Sequence, residues 1–354
     1  MMLLRASFLL ALTLLLSACG KEPLYQEEGF VFGTRVEVSI YGEGEDEAHA
    51  RQAVTSIMQE FQRLHELLHA WKPSALSKLN TAFAAGQSAS ITPELATMLQ
   101  DAALLSAQSD GLFNPAIGGL VKLWGFHADE YKPALPDSKQ LAHLVAAQPL
   151  MSDINFKLIS NAKLASYKTY ARNRAVQLDL GGYAKGYALD RAAVLLKRQG
   201  IQHALINIGG NVLALGTHGS RPWRVGIQHP RKPGPLATLA LHDGEAIGTS
   251  GDYQRYFELD GQRYCHVINP RTGLPVQGVQ AVTVLTRGSS AGVLSDATSK
   301  PIFIAGAEAL QASADKMQIH EALLIDAAGV VHLTAAMQKR LEFTDSNTVS
   351  KLTQ

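Results

Sequence analysis

Asp179-Leu-Gly-Gly-Tyr-Ala-Lys-Gly-Tyr-Ala-Leu-Asp190-Arg191 marks a change of period in the chain. Val176 and Leu178 alternate ahead of it as in a strand, Gly181 and Gly182 interrupt the pattern, and a helix runs from Ala184 to Gln199, ended by Gly200. A loop entering a helix offers free N–H groups to an anion, and Lys185 adds a point charge. The arrangement suits a phosphate-bearing ligand, with a tight strand-to-helix turn and a solvated lysine as the structural alternative.

Upstream, Val36, Val38 and Ile40 alternate as a half-buried strand. Acidic residues from Glu43 to Glu47 then precede Val54, Ile57, Met58, Phe61, Leu64 and Leu68 at helical spacing. Thr92 and Pro93 supply an N-cap and a first helical residue for a second helix that Asp110-Gly111 ends. A surface connection is expected from Asp129 to Ser138. Downstream, short β-branched runs cover Ala204 to Ile208, Trp223 to Ile227 and Val279 to Leu285, followed by a helix near Ala307 to Met317 and a strand pair between Ala322 and Leu333. Strands and helices do not alternate strictly, which predicts an α+β fold with mixed or antiparallel sheets and packed helices. Neither common phosphate loop, Gly-x-Gly-x-x-Gly nor Gly-x4-Gly-Lys-Ser/Thr, is present.

The 354 residues, with 32 Lys and Arg against 31 Asp and Glu, exclude a mini-protein and argue against a disordered chain or a nucleic-acid binder with a broad basic footprint. Two cysteines, Cys19 and Cys265, do not make a disulfide framework. Arg5, the apolar run Ser7 to Leu16 and Leu16-Ser-Ala-Cys19 have the layout of a signal peptide, too short to span a bilayer. Leu-Ser-Ala-Cys19 resembles a bacterial lipobox, which implies acylation of Cys19 as the first mature residue and a membrane-held, periplasm-facing body. Gly20 does not fix which membrane. Lys21 to Gly29 reads as a polar tether.

Three further stretches carry polar groups that a core does not need. Asn207-Ile-Gly-Gly-Asn211 ends a strand in two glycines. Gly248 to Tyr253 leads on to Tyr264-Cys-His-Val-Ile-Asn-Pro-Arg-Thr-Gly273, where His266 stands before a turn as a base, a phosphate donor or a structural group. In Leu294-Ser-Asp-Ala-Thr-Ser-Lys300, Asp296 opens a turn or helix, either as a cap or as a carboxylate for a hard cation.

In this order, the stretches resemble the ApbE family of FAD:protein FMN transferases. Phe32-Gly-Thr34, Trp71-Lys-Pro-Ser-Ala-Leu-Ser-Lys-Leu-Asn80, Asp110-Gly-Leu-Phe-Asn-Pro115 and Leu123-Trp-Gly-Phe126 extend the likeness from about Phe32 to Leu333. The resemblance implies one two-lobed catalytic body over 30–340, after a signal peptide (1–18) and a lipidated N-terminus with tether (19–29), and before a C-terminal tail (341–354). It implies transfer of FMN from FAD to a Thr or Ser hydroxyl of an acceptor protein in a periplasm-facing redox system, with Mg2+ required and AMP released. FAD hydrolysis to FMN and AMP, or FAD binding without catalysis, are the alternatives.

Carried over by position, Lys185 and His266 are the catalytic groups. Phe32, Trp71, Leu112, Phe113, Asn114, Asp179, Lys185, Arg191 and Val267 form the FAD site, with Asp190 helping to shape it. Ala188 through its carbonyl, Asp296, Ser299 and the position of Lys300 form the metal site. The chain departs from the family pattern in having Phe32 for Met, Asn114 for Asp and Lys300 for a metal-binding Thr. A protonated lysine is no metal ligand, so Mg2+ is expected to keep a water in that place.

Overall fold

The computed structural model describes residues 23–42, 47–128, 130–160 and 165–353. The signal peptide and Cys19 lie outside them. The alternation at Val36, Val38 and Ile40 belongs to β2 (Thr34–Tyr41), which folds back on β1 (Leu24–Val31) in antiparallel register, Leu24 opposite Tyr41 and Val31 opposite Thr34. Phe32 and Gly33 turn the hairpin at φ of 56° and 69°. Two positive-φ positions are what a two-residue hairpin turn demands, and for a bulky phenylalanine this backbone is strained. From Leu24 onward, the expected tether is therefore a strand. Its polar side chains suit an edge, and its backbone pairing is invisible to composition.

Seven more strands extend this hairpin in chain order: β3 (Ala204–Ile208), β4 (Asn211–Leu215), β5 (Glu245–Gly251), β6 (Val279–Arg287), β7 (Glu321–Asp326), β8 (Val331–Leu333) and β9 (Ser350–Leu352). All neighbours are antiparallel except β8 and β9. The expected tail beyond 341 is thus partly built in, since β9 extends the main sheet and Leu341–Phe343 pairs with Pro235–Leu241. The outcome is the α+β fold that the sequence pattern predicts.

One face of the sheet carries helices. In α1 (Glu47–Leu68), the residues Ala50, Ala53, Val54, Ile57, Phe61, Leu64 and Leu68 are buried as one helical stripe. Each large side chain removed from water contributes roughly 1.5–3 kcal/mol before the entropy cost of ordering it. Then come α2 (Ala75–Ala84), capped by Ser74, and α3 (Pro93–Gln108), capped by Thr92. α4 (Ala184–Arg198) lies between α1 and α5 (Ala291–Ala305), and α5 lies across β5 and β6. The opposite face is covered by the strands Trp223–Gln228, Pro235–Leu241 and Leu341–Phe343, around a separate core that includes Trp223, Ile227, Leu239 and Leu333.

The strand expected at Val176 and Leu178 reduces to an isolated bridge between Ile117 and Gln177. Buried Asn80 takes the place of a neighbouring strand. Its Oδ1 accepts from the Leu178 N–H at 2.7 Å, and its Nδ2 donates to the Leu178 carbonyl at 2.9 Å.

Candidate active site

Glycine brings α5 close to its neighbours. A Cβ on Gly186 would stand 2.2 Å from the Gly292 carbonyl oxygen, and one on Gly292 would stand 2.3 Å from that of Gly186, so α4 and α5 cross backbone to backbone. On the sheet side, a Cβ on Gly248 of β5 would fall 2.3 Å from the Ser295 carbonyl oxygen. Asp190 of α4 caps α5 from outside, its two carboxylate oxygens accepting the N–H groups of Gly292 (2.7 Å) and Val293 (2.9 Å). Ser290 makes no side-chain cap there. Both Asp190 oxygens are thus engaged at the start of α5.

This clasp fixes Asp296, which is wholly buried and sits inside α5 instead of opening it. Its Oδ2 accepts from the Gly186 N–H at 3.1 Å. Its Oδ1 is hydrogen-bonded by the ammonium of Lys300, one helical turn along, and lies 3.5 Å from the Lys185 Nζ. Burial pushes the Asp296 carboxyl up, yet Lys185 and Lys300 outweigh it and hold the group well below the usual carboxylate range. Burial lowers Lys300 to about 8 even with Asp296 beside it.

His266 follows the strand Gln262–Cys265, as the sequence suggests. Its Nδ1 lies 3.2 Å from the Arg255 carbonyl, which can only accept, so Nδ1 carries the proton and Nε2 presents a lone pair. Burial, then Arg255, Lys185 and Lys300, push the imidazole down to about 3, and it is neutral at physiological pH. Together the structure gives two ammonium groups, one buried carboxylate and one neutral imidazole.

Of the other residues carried over from the resemblance, Phe113 borders the same turn: a Cβ on Gly182 would sit 3.7 Å from its ring and 3.2 Å from the Lys300 Cε. Asp179 accepts from the Gly181 N–H at 2.8 Å and so shapes the turn. Phe32 packs its ring near Phe61 and His65, while Trp71 meets His127. Leu112 is half-buried beside Phe113, and Val267 is buried behind His266. Asn114 uses both ends of its amide on backbone, donating to the Pro149 carbonyl and accepting from the Ala116 N–H. Arg191 is engaged by Glu60 at 3.1 Å. The stretch from Asn207 to Asn211 forms the turn between β3 and β4, where Asn207 bonds Glu37 and the Gly210 N–H. Sequence reasoning missed Asn80 as a partner of Leu178, Arg255 as a partner of His266, and Gly292 as the opposite half of the helix contact.

The donors around Asp296 do not fit a divalent cation. Mg2+ demands near-octahedral oxygen ligands at about 2.0–2.1 Å. Here both carboxylate oxygens are engaged, and the Asp296 carbonyl accepts from the Ser299 hydroxyl at 2.8 Å and from the Lys300 Nζ at 2.6 Å. The Ser299 hydroxyl also pairs with that of Ser250 at 2.8 Å, and Ala188 is buried within α4. Two like unit charges at 4 Å repel by about 4 kcal/mol near a protein surface, and a dication doubles that against each ammonium. A water-ligated Mg2+ on Asp296 would have to displace the ammonium that already stands on the carboxylate.

The model of the ApbE family matches residues 32–324. The chain is 42% identical to an FAD:protein FMN transferase of Rhodobacter capsulatus over 94% of its own length, and spans about three fifths (61%) of that relative. Among solved structures, it is similar to the ApbE protein of Thermotoga maritima, at 26% identity and a TM-score of 0.78 over 90% of this chain and 99% of that one. It is also similar to the apo form of the flavinyl transferase ApbE of Pseudomonas stutzeri, at 25% identity and a TM-score of 0.74 over 90% of this chain and 96% of that one.

Proposed function

The chain belongs to the ApbE family, and from that premise we propose that it is an FAD:protein FMN transferase acting on a Thr or Ser hydroxyl of an acceptor protein. The observation that carries the reading is the pair Lys185 and Lys300 on one buried carboxylate, both near enough to His266 to help keep its imidazole neutral. In the proposed reaction, the acceptor oxygen bonds to the FMN-side phosphorus of FAD. The bond from that phosphorus to the bridging oxygen breaks, and AMP leaves carrying the bridging oxygen. The hydroxyl proton passes to the His266 Nε2, the one ring nitrogen with a free lone pair. Lys185 and Lys300 offset charge on the pyrophosphate, an electrostatic contribution that needs no reorganisation at the moment of reaction.

We propose further that Cys19 is lipidated and holds the enzyme at a periplasm-facing membrane surface, where its acceptor is part of a redox system. Since β1 opens at Leu24, shortly after Cys19, such an anchor would keep this sheet edge within about 18 Å of the lipid. Among the described residues, no helix is long and apolar enough to cross a membrane.

The deciding test is the intact mass of an acceptor co-expressed with the enzyme. A gain of one FMN that is lost with Asp296→Asn supports transfer. Free FMN and AMP without an adduct means hydrolysis, and FAD bound with no AMP released means a binding protein.

A further inference from the structure

Lys300 sits one turn after Asp296 on α5, so helix geometry itself places its side chain over the carboxylate. The Nζ donates to both the Asp296 carbonyl and Oδ1, which leaves one of its three N–H groups for a ligand. The stem has a slot of its own. Gly182 has no side chain where a Cβ would stand 3.2 Å from the Lys300 Cε and 3.7 Å from its Cδ, so the glycine of the turn makes room for the lysine of the helix. The remaining oxygens are taken, Oδ2 by the Gly186 N–H and the Ser299 hydroxyl by Ser250. With Lys185, the cluster already carries one net positive charge to receive a pyrophosphate.

We infer that the ammonium of Lys300 is the resident cation of this site, occupying the place on Asp296 that a divalent ion would need, so that FMN transfer proceeds without a metal bound there. The inference rests on the transfer reading for its activity arm only. Gly182 and Lys300 form a matched pair, the glycine of the turn giving space to the built-in cation. The ammonium bridges Asp296 and the pyrophosphate, a role for which Lys, as a compact point charge, is suited.

The experiment titrates Mn2+ into the full chain, with and without FAD, and follows free Mn2+ by electron paramagnetic resonance. It also measures FMN transfer after dialysis against EDTA. The wild-type protein is expected to bind no stoichiometric Mn2+ and to keep its transfer rate within about twofold in EDTA. Lys300→Thr, which removes the ammonium and restores a hydroxyl, is expected to bind about one equivalent. It should lose about 100-fold in EDTA, the order seen when one electrostatic donor is removed, and recover in millimolar Mg2+. One equivalent of Mn2+ on the wild type that disappears with Asp296→Asn overturns the inference, as does wild-type transfer abolished by EDTA and restored by Mg2+. A folded Lys300→Thr that binds no Mn2+ also overturns it, and if that variant does not fold, the wild-type titration decides. Absence of FMN adduct under every condition would refute the transfer reading, while the titration would still judge the cation.

Discussion

Gly186→Ala tests the helix contact on which the cluster depends. The new Cβ would stand 2.2 Å from the Gly292 carbonyl oxygen, over an ångström inside ordinary contact, and both partners are backbone, so no rotamer change relieves the clash. α4 and α5 must separate by about an ångström. Overpacking of this kind costs about 1–3 kcal/mol, and the better helix propensity of alanine returns up to about 1 kcal/mol. A net loss of about 1–2 kcal/mol lowers the melting temperature by about 1.5–3 °C in a chain of this size. The functional loss should be larger than the thermal one. The Gly186 N–H holds the Asp296 Oδ2 at 3.1 Å, and an added ångström breaks that bond and displaces the carboxylate under both lysines. Misplacement of this order costs about 100-fold in rate. Gly292→Ala strikes the same contact from the other side, so the double variant should cost clearly less than the sum of the singles. Calorimetry and the adduct assay measure both quantities. Wild-type melting and wild-type transfer in Gly186→Ala would refute the close crossing and the positioning role assigned to it.

Three other outcomes are expected. Asn80→Ala strips both the N–H and the carbonyl of Leu178 of their partner and should cost about 2–3 kcal/mol in a urea titration, while an unchanged midpoint would show that the segment needs no such brace. Cys265 is buried, and that burial pushes its thiol up to about 11, so peptide mapping should find it unmodified by iodoacetamide at pH 8 in the folded protein and modified in urea. His266, held down at about 3 in the folded state, takes up its proton near 6.5 once unfolded. The unfolded state therefore gains protons first, and stability falls as pH drops from about 6.5 toward 3. His266→Gln should lose less stability than wild type between pH 7 and pH 4, and equal losses would count against a neutral imidazole.

Features set by local physics were legible in the sequence. The stripe from Val54 to Leu68 is a period, Thr92-Pro93 is a cap, and both fall where the pattern puts them. Features set by partners distant in the chain were not. Val176 and Leu178 alternate because they are buried, and only the amide of Asn80 shows that the neighbouring strand is absent. Asp296 has the residue type of a cap, but the cap of α5 comes from Asp190, which no local pattern connects to Gly292. Gly186 carries no local signal of its role, and in the fold it lets a helix approach. The candidate residues divide in the same way. Lys185 stands beside Asp296 and acts on His266, whereas Asn114 and Arg191 are engaged by the Pro149 carbonyl and Glu60.

The electrostatics of the cluster also bear on when its base can act. An imidazole held near 3 is a poor proton acceptor, and the groups that hold it there, besides burial, are cations: Arg255, Lys185 and Lys300. Under the proposed reaction, two of these are the groups that meet the pyrophosphate. Bound FAD brings negative charge to Lys185 and Lys300, offsets their effect on His266, and raises the basicity of Nε2. The same binding event that places phosphorus in the site therefore strengthens the base that must take the hydroxyl proton. A histidine protonated at neutral pH could not do this, because its lone pair would already be used. A histidine remote from the lysines would be equally basic with and without substrate. Placing the imidazole among the cations couples its basicity to occupancy of the phosphate site, and Asp296, by holding Lys300 and Lys185 together, sets the strength of that coupling.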